Sequence, residues 1–384
     1  MRKNNEPLVS VVMPCLNEED SVGICVEKAV ETLKKLGIKG EVIVSDNGST
    51  DNSVKIAKSR GARVVHQPIK GYGSAYLKGF EAARGKYIVM GDSDNTYDFR
   101  DLKRFIEPLE KGYDMVMGSR LKGRIKPGAM PWLHKYIGNP LLSWFLRTLF
   151  NTKVSDAHCG MRSFTKDTYK RMHLKTKGME FASEIVINAA KAKLKIKEIP
   201  ITLHANNERR PHLNSLRDGW RHLRFMIEYS PFHLFFIPGI MILTLGIILF
   251  ALLIVFFPLN IGRATLGPNT AVLSSLFVFI GFQLIISAYI AKLHYYKFSH
   301  FERPGGLLKK LDNFFSLEKG ILAGLIPGLA GLIVLLSVTI NWINNSFGPL
   351  SNLNAIASVF GMTLVVLGIQ IISNSFLVSI IKND

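Results

Sequence analysis

Two aspartates stand two residues apart where an apolar run of the chain ends. Residues 87–90 are Tyr-Ile-Val-Met, a pattern typical of a buried strand, and Asp92 and Asp94 follow it closely. Alternate residues of an extended chain share a face, so both carboxylates can approach one cation. Hard oxygen ligands of this kind select Mg²⁺ or Mn²⁺. The alternative is a solvated acidic turn, and Asp98 fits that alternative better, as the N-cap of a helix predicted over 99–109.

Three further polar segments follow strand-like runs, at residues 14–19, 45–51 and 70–73. Each of them alone could be a helix cap or a turn. In an open sheet of parallel strands, however, ligands bind at the carboxyl ends of the strands. Four polar segments at that edge therefore predict one ligand site.

Strand-like and helix-like runs alternate over the first 200 residues. The strand-like runs are 9–13, 41–45, 62–66, 86–90, 114–117 and 197–201, and the helix-like runs include 21–36, 53–60, 72–83 and 180–193. This alternation predicts a doubly wound, Rossmann-like α/β domain with a mostly parallel core. Neither a GxGxxG fingerprint nor a GxxxxGK[ST] loop occurs at a suitable place, so two common nucleotide-binding folds are excluded.

The C-terminal part of the chain contains four long apolar runs without Asp, Glu, Lys or Arg. They are 235–257, 271–291, 321–340 and 355–381. A helix needs about 20 apolar residues to cross the hydrocarbon of a bilayer, so each run predicts a transmembrane helix. We expect three parts: an α/β domain over 1–210, a juxtamembrane amphipathic segment over 211–234, and a four-helix membrane domain over 235–384.

Charge in the loops predicts the orientation. The middle loop, 292–320, carries six basic residues, whereas 258–270 carries only Arg263 and 341–354 carries none. By the positive-inside rule the middle loop, the N-terminal domain and the C-terminus are cytoplasmic. The first residues lack an apolar core, so we expect no secretory signal. Three cysteines without CxxC spacing fit reduced thiols.

The formal net charge is +19. Anionic lipid headgroups account for this charge better than nucleic acid, because basic residues crowd near the membrane segments. Between Asp114 and Asp156 the chain has seven basic residues, no acidic residue, and large apolar residues that include Trp132 and Trp144. This composition predicts a helix lying on the cytoplasmic leaflet, and residues 213–229 predict a second one. An ordinary basic surface is the alternative.

The motifs, taken in order, resemble those of family 2 glycosyltransferases with the GT-A fold. They are VSVVMPCLNEE (9–19), VSDNGSTD (44–51), GDSD (91–94) and MGSR (117–120). The segments SDAHCGMRSF (155–164), GMEFASEIVINA (178–189) and the stretch 198–225 resemble the polyprenyl-phosphate glycosyltransferases. That subgroup includes dolichyl-phosphate mannose and glucose synthases, and its members often carry C-terminal membrane helices.

The resemblance implies inverting transfer of a hexose from a nucleotide-sugar, UDP-glucose or GDP-mannose, to a polyprenyl or dolichyl phosphate at the cytoplasmic membrane face. Asp92 would contact ribose and metal, and Asp94 would hold the metal in an Asp-x-Asp motif. The residues near the nucleotide would be Pro14, Asn17, Glu18, Asp46, Lys70 and Gly71. Basic residues for the lipid phosphate would be Arg120, Arg124, Arg162, Arg209 and Arg210. Asp156 and Glu184 would lie near the sugar.

For several of these residues, a structural role is the alternative to a role in the site. Lys70 fits a solvent-facing loop lysine, and Glu184 fits a first-turn carboxylate favoured by the helix dipole. His158 and Cys159 lack a third metal ligand, so we expect them to pack. The sequence also departs from the family twice: Asn47 replaces the second residue of an Asp-Asp pair, and Thr96 replaces a Gln of the mannose synthases.

Two other functions are compatible with this layout. A processive polysaccharide synthase joins the same fold to membrane helices, but the QxxRW motif of such enzymes is missing here. A catalytically inactive binder of nucleotide-sugar or lipid is the nonenzymatic alternative, and intact Asp92, Asp94 and Arg162 argue against it. The oligomeric state is open, a homo-oligomer included.

Overall fold

In a computed structural model the protein forms two compact units, Met1–Glu228 and Tyr229–Asp384. The structure describes residues 6–206, 215–261, 264–298 and 317–383. The boundary between the units falls inside the predicted juxtamembrane segment.

The first unit is built on a sheet of seven strands in its described part. The strands are β1 (Val9–Cys15), β2 (Gly40–Asp46), β3 (Arg63–His66), β4 (Tyr87–Met90), β5 (Met115–Ile125), β6 (Arg162–Thr165) and β7 (Ile196–Leu203). Their order across the sheet is β3-β2-β1-β4-β6-β5-β7. Strands β1 to β4 pair in parallel, as do β5 and β7. The parallel strand ends therefore meet at one edge.

Helices connect these strands and cover the sheet. They are α1 (Val22–Lys35), α2 (Ser53–Ser59), α3 (Tyr72–Ala82), α4 (Leu102–Glu110), α5 (Asn139–Phe150), α6 (Lys166–Met172), α7 (Phe181–Lys191) and α8 (Ser215–Glu228). A 3₁₀ turn, Phe99–Asp101, precedes α4, and a π-helical turn, His134–Gly138, precedes α5.

Alternation along β1 places buried side chains on both faces of the sheet. Val11 and Met13 join a core with Val26 of α1 and Phe105 of α4. Val12 faces the other side of the sheet and packs against α3. A Cβ added to Gly79 of α3 would overlap the Val12 side chain. A sheet with both faces covered by helices is the predicted doubly wound α/β architecture, and this prediction is confirmed.

Strand β6 departs from the sequence prediction. It lies in the middle of the sheet and pairs antiparallel with both β4 and β5. Strand β5 also continues to Ile125, well past the predicted end at residue 117, with an irregular register against β7 after Ser119. The sheet is therefore mixed, with a parallel half and an inserted antiparallel strand.

Within the described residues of the second unit, four helices are long and apolar enough to cross a membrane. They are α9 (Ile237–Phe256), α10 (Pro268–Phe298), α11 (Leu317–Asn344) and α12 (Asn352–Asn383). A short hairpin of β8 (Leu259–Ile261) and β9 (Ala264–Leu266) lies between α9 and α10. The predicted four apolar helices are confirmed.

Glycines let α11 and α12 approach closely. A Cβ added at Gly331 would lie 2.5 Å from the carbonyl oxygen of Gly361, and one at Gly324 would lie 2.6 Å from that of Gly368. Small residues of this kind are typical of helix contacts in membranes. The glycines of α11 therefore lie in a close contact between the two helices.

Candidate active site

A cavity of about 500 Å³ opens at the carboxyl edge of the parallel strands in the first unit. Its polar wall comes from the segments after β1, β2, β3 and β4 and from β5, and its apolar wall comes from residues around α5. The polar wall includes Pro14, Glu18, Asn47, Lys70, Gly71, Asp92, Asp94, Thr96 and Arg120. The predicted convergence of strand ends thus produces a concave site.

The loop after β4 is anchored to the neighbouring strand β1. Ser93 Oγ donates to the carbonyl of Pro14 at 2.6 Å, and Ser21 Oγ donates to the carbonyl of Ser93 at 2.8 Å. Because Ser21 and Ser93 are both buried, the hydrogen bond between them is shielded from competition by water. The flanking residues Asp92 and Asp94 line the cavity.

The carboxylate of Asp92 accepts two phenolic hydrogen bonds. Tyr72 and Tyr76 each donate from the hydroxyl to Oδ1, at 2.9 and 3.0 Å. Burial, and then the charge of Asp92, raise the pKa of both tyrosines well above the usual value, so both remain protonated donors. Sequence reasoning placed both tyrosines in a helix but gave them no role in the site.

Asp94 is held by its own turn. Its Oδ1 accepts from the backbone N–H of Thr96 at 3.1 Å and from the Thr96 hydroxyl at 2.6 Å. The side-chain amide of Asn206 donates to the Asp94 carbonyl at 2.7 Å. Thr96, where the sequence departs from the mannose synthases, therefore orients the carboxylate next to it.

These two carboxylates fit a divalent cation that is completed by its substrate. The described residues contain no group of three or more His, Cys, Asp or Glu side chains placed to hold a metal ion. Mg²⁺ in phosphate-transferring sites is commonly held by one or two carboxylates together with substrate phosphates. Asp92 and Asp94 supply that donor set, and a bound diphosphate would supply the remainder.

Asp98 has the role expected from the sequence. Its side chain caps the 3₁₀ turn by accepting the N–H of Arg100 at 3.1 Å, and it also pairs with the Arg100 guanidinium. The third aspartate of the motif thus belongs to the following helix.

Of the residues expected around the nucleotide, Pro14, Glu18, Lys70 and Gly71 line the cavity. Asn17 is exposed and braces the next strand end, since its Oδ1 accepts the N–H of Thr50 at 2.8 Å. Lys70 Nζ donates to the carbonyl of Asn47 at 2.9 Å, which places its charge beside the site.

Asp46 lies almost fully buried at the end of β2. It accepts the N–H groups of Gly48 and Ser49 and contacts His66 Nδ1 at 3.1 Å. Although burial alone would raise it, these hydrogen bonds hold the pKa of Asp46 below its usual value. The carboxylate shapes the turn after β2, and its expected contact with base or ribose stays a prediction.

The contacts of Asn47 account for the other departure from the family pattern, the replacement of an aspartate by asparagine. Its side-chain amide donates to the carbonyls of Gln67 and Ile69, at 2.9 and 2.8 Å, and its Oδ1 accepts the N–H of Gly71 at 2.7 Å. A carboxylate cannot donate to carbonyls. In this chain an amide at position 47 ties the end of β2 to the loop that begins with Lys70.

Arg120 and Asp156 form a buried ion pair at the cavity wall. The Arg120 Nε and Nη2 lie 2.8 and 2.7 Å from the two oxygens of Asp156, and the Arg120 N–H donates to the same carboxylate. Burial opposes both charges, but the pair lowers the pKa of Asp156 and raises that of Arg120. Asp156 itself is fully buried, so the structure favours positioning of Arg120 over the expected contact with sugar or acceptor.

Arg162 is also fully buried, in β6. Its guanidinium donates to the carbonyls of Cys159, Ala157 and Ala182 at 2.8 to 2.9 Å. These contacts join β6 to the start of α7, so the geometry favours a scaffolding role over the expected contact with a lipid phosphate.

Glu184 lies in the first turn of α7 and is nearly fully buried. It accepts the N–H groups of Lys175 and Thr176 and the Thr176 hydroxyl. Burial, the largest influence, raises the pKa of this carboxyl. The loop that Glu184 holds presses on α3, because a Cβ at Gly71 or Gly73 would overlap the carbonyls of residues 177 and 176. A loop-holding role is therefore favoured over the expected sugar contact.

The other three arginines expected at the acceptor side are not among the residues that line the cavity in the described part of the chain. Arg124 is exposed on the far part of β5 and does not line the cavity. Arg209 and Arg210 lie outside the described residues.

The other end of the cavity is apolar and adjoins an exposed apolar surface. Ala129, Met130, Pro131 and Leu142 line the cavity. Large exposed side chains stand next to them along the chain: Trp132, Leu133, Tyr136, Ile137, Leu141 and Trp144. Surfaces of this kind, with tryptophan, leucine and nearby lysine, are typical of segments that lie in a membrane interface.

Two histidines also line the cavity, at a place that sequence reasoning did not connect. His158 and His222 of α8 both contact Ser183 Oγ, at 3.2 and 2.9 Å, and their rings lie 4.5 Å apart. Burial, and then His222, lower the pKa of His158 well below the usual value, so it is neutral. The expected packing role for His158 agrees with this arrangement, which links α7 to α8.

Two family models match this chain. Residues 10–173 match glycosyl transferase family 2, and residues 290–382 match the glycosyltransferase family 2 C-terminal transmembrane region. The first match includes the site residues from Pro14 to Arg162 that are described above. The second covers the last two apolar helices and the end of the one before.

One relative is similar over nearly the full chain, and another is similar over about half of it. The low-salt glycan biosynthesis hexosyltransferase Agl6 of Haloferax volcanii is 40% identical over 376 residues, 97% of this chain and 88% of that one. The glycosyltransferase AglJ of the same organism is 29% identical over 213 residues, 55% of this chain and 68% of that one.

A solved structure is more distantly similar. Glucosyl-3-phosphoglycerate synthase from Mycobacterium tuberculosis, in complex with Mn²⁺, UDP-glucose and phosphoglyceric acid, is 22% identical with a TM-score of 0.48. The likeness covers 58% of this chain and 79% of that chain. At this distance it says nothing about the ligands of the present chain.

Proposed function

The chain belongs to the family 2 glycosyltransferases and carries the family's C-terminal membrane region, and from that premise we propose a specific reaction. The protein transfers a hexose, with inversion, from a nucleotide-sugar to a polyprenyl or dolichyl phosphate at the cytoplasmic face of a membrane. UDP-glucose is the favoured donor and GDP-mannose the alternative. The observation that carries this proposal is the cavity, which has two carboxylates at its polar end and an apolar wall at the other.

The polar end suits a nucleotide diphosphate. Cleavage of the sugar–phosphate bond places additional negative charge on the leaving diphosphate, and Mg²⁺ or Mn²⁺ bound by Asp92 and Asp94 would stabilise that charge. Both carboxylates are oriented before any ligand arrives, by Tyr72 and Tyr76 in one case and by Thr96 in the other. Preorganised groups of this kind avoid reorganisation during the reaction.

The acceptor reaction needs positioning more than a base. An oxygen of the lipid phosphate attacks the anomeric carbon, while the bond from that carbon to the nucleoside diphosphate breaks and the diphosphate leaves with the electron pair. The acceptor phosphate is already anionic near neutral pH, so no strong general base is required. The task left to the protein is to hold two anions close together.

Arg120 is the cation best placed for the lipid phosphate. It lines the cavity together with Asp92 and Asp94, and its side chain is fixed by Asp156. A guanidinium can bind phosphate through two hydrogen bonds at once. In this proposal Arg120 touches substrate, whereas Asp156, Arg162 and Glu184 position the residues and loops around it. Arg124, Arg209 and Arg210 remain proposed acceptor contacts.

The apolar wall and the surface next to it suit a lipid tail. Met130, Pro131 and Leu142 continue the cavity toward the exposed aromatic residues Trp132 and Trp144. A polyprenyl chain lying in the interface would find apolar contacts along this route. The six basic residues of loop 292–320 support a cytoplasmic placement of the first unit.

The relatives support the donor class and the biological setting. Agl6 is named as a hexosyltransferase of glycan biosynthesis, and its similarity extends over both the first unit and the membrane helices. By analogy, we propose that the present chain transfers a hexose in the assembly of a glycan.

A lipid-extraction assay tests this proposal. The full chain in detergent is supplied with Mn²⁺, labelled UDP-glucose or GDP-mannose, and a polyprenyl phosphate. We expect label in the lipid phase with one donor only, a single hexose per lipid, and near-background transfer by Asp94→Asn. Asp98→Asn serves as the matched control and should retain the rate. Absence of lipid-linked hexose with every donor contradicts the proposal, and a growing polymer would indicate a processive synthase.

A further inference from the structure

We propose that Tyr72 and Tyr76 form a two-phenol clamp that fixes the Asp92 carboxylate and thereby sets the affinity of the site for its divalent cation. The inference rests on the proposed nucleotide-sugar site, but it does not depend on the identity of the acceptor. Neither tyrosine needs to touch substrate in this role, so both are positioning residues.

The clamp follows from helix geometry. Tyr72 and Tyr76 are four residues apart in the first turns of α3, so their side chains lie on one face of the helix. Both hydroxyls reach the same carboxylate oxygen, Oδ1 of Asp92, at 2.9 and 3.0 Å. Two donors that converge on one oxygen fix the position of that oxygen and restrict rotation of the carboxylate.

Packing holds the phenols in place. Tyr76 is fully buried, and its ring stacks on Phe181 with centroids 5.9 Å apart and an interplanar angle of 11°. The rings of Tyr72 and Tyr76 meet edge to face with centroids 5.0 Å apart. Such contacts restrict both rings, so the donors cannot follow the carboxylate if it turns.

The opposite side of the carboxylate is equally confined. A Cβ added to Gly160 would lie 2.7 Å from Asp92 Oδ2 and 3.0 Å from the ring of Tyr97. The N–H of Gly160 donates to the Tyr97 hydroxyl at 2.9 Å, which fixes this glycine beside the carboxylate. Asp92 therefore sits between two phenols on one side and a glycine backbone on the other.

The clamp also connects the carboxylate to the nucleotide loop. Tyr72 directly follows Gly71, whose N–H donates to Asn47 at the end of β2. Lys70, on the other side of Gly71, donates to the carbonyl of Asn47. The same helix end thus carries the loop that is proposed to lie near the nucleotide and the donors that orient the metal carboxylate.

Hydrogen-bond partners of metal ligands typically contribute about 10-fold to 100-fold in metal affinity. Each hydroxyl can be removed without changing the shape of the ring, by Tyr72→Phe or Tyr76→Phe. Tyr169→Phe is the matched control, because Tyr169 packs in the same aromatic cluster against Phe80 and Phe164, whereas the phenolic donors to Asp92 are Tyr72 and Tyr76.

The experiment measures binding of Mn²⁺ to the full chain in detergent by electron paramagnetic resonance, with saturating UDP or GDP. We expect the dissociation constant for Mn²⁺ to rise about 10-fold in each single variant and further in the double variant, with Tyr169→Phe unchanged. In turnover assays the Mn²⁺ concentration for half-maximal rate should rise in parallel, while the rate at saturating Mn²⁺ changes much less.

Two outcomes overturn the inference, and they differ in what else they affect. Unchanged Mn²⁺ affinity in folded Tyr72→Phe and Tyr76→Phe, with normal binding by the unsubstituted chain, refutes the clamp and leaves the proposed function intact. No Mn²⁺ binding by the unsubstituted chain with either nucleotide refutes both. Tyr72 is only partly buried, so Tyr72→Phe keeps the test valid if Tyr76→Phe fails to fold.

Discussion

The guanidinium of Arg120 and the carboxylate of Asp156 meet through two side-chain hydrogen bonds, of 2.8 and 2.7 Å, inside the wall of the cavity. Arg120 lies within β5, directly after Ser119, where the register against β7 becomes irregular, and Asp156 comes from the segment before β6. The segment that leads into the inserted antiparallel strand therefore supplies the partner that holds the cavity's arginine in one orientation.

Asp156→Asn should cost much more stability than a surface substitution of the same kind. Removing one partner of a buried ion pair leaves an uncompensated charge and typically costs about 3–5 kcal/mol. Asp98→Asn is the matched control, since its partner Arg100 is exposed and such pairs contribute about 0–1 kcal/mol. Thermal unfolding of the full chain in detergent measures the difference. Equal losses in the two variants would contradict the buried pairing.

The same pair predicts a dependence of stability on pH. Because the pKa of Asp156 is lower in the folded chain than its usual value of about 3.9, the unfolded chain binds the proton first as the pH falls. The stabilisation from Asp156 is therefore complete above about pH 5 and is lost as the pH falls through the folded pKa.

Unfolding midpoints of the unsubstituted chain and of Asp156→Asn should accordingly begin to converge as the pH falls below about 5, and continue to converge as it falls further towards the lowered folded pKa of Asp156. Taking the difference between the two proteins removes the contribution of other carboxylates. A difference that stays constant over this range would show that Asp156 does not titrate with a lowered pKa.

Asn47→Asp, which restores the residue usual in the family, should weaken this chain. A carboxylate cannot donate to the carbonyls of Gln67 and Ile69, and it brings an acceptor close to both of them. We expect a loss of about 1–3 kcal/mol in stability and weaker binding of the nucleotide. Calorimetric titration with UDP and GDP measures the binding, and an affinity equal to or above that of the unsubstituted chain would contradict the role given to the amide.

Gly160→Ala should damage the proposed metal site although it replaces no charged residue. The added methyl would lie 2.7 Å from Asp92 Oδ2, so the carboxylate or the Tyr97 ring must move, at a cost of about 1–3 kcal/mol. Gly138→Ala is the control, since a Cβ there meets its nearest neighbour at an ordinary 3.6 Å. In transfer assays, the Mn²⁺ concentration for half-maximal rate should rise for Gly160→Ala and stay unchanged for Gly138→Ala. The same half-maximal concentration in both variants would contradict the contact between Gly160 and Asp92.

Much of the fold was predictable because hydrophobic pattern determines it. The parallel strands β1, β2 and β4 and the four membrane-length helices each contain an apolar run that is visible in the sequence. Strand β6 was not predicted, because its four residues, Arg-Ser-Phe-Thr, include only one large apolar side chain. Its pairing depends on neighbours that lie far away in the chain.

The site was predictable in its outline but not in its supporting contacts. The sequence alone placed Asp92 and Asp94 at a strand end, where the structure has them lining the cavity. It could not show that Asp156, Arg162 and Glu184 are buried, because burial depends on how β6 and α7 pack. The spacing of Tyr72 and Tyr76 was visible as a shared helix face, but only the tertiary structure brings that face to Asp92.

Electron density for the full chain with Mn²⁺, UDP and a polyprenyl phosphate tests the central claim most directly. We predict that Mn²⁺, identified by its anomalous signal, would be held by the carboxylates of Asp92 and Asp94 next to the diphosphate. The lipid phosphate should lie within hydrogen-bond reach of Arg120, with its chain along Met130 and Leu142. A cation bound away from both aspartates, or a lipid phosphate remote from Arg120, would contradict the account.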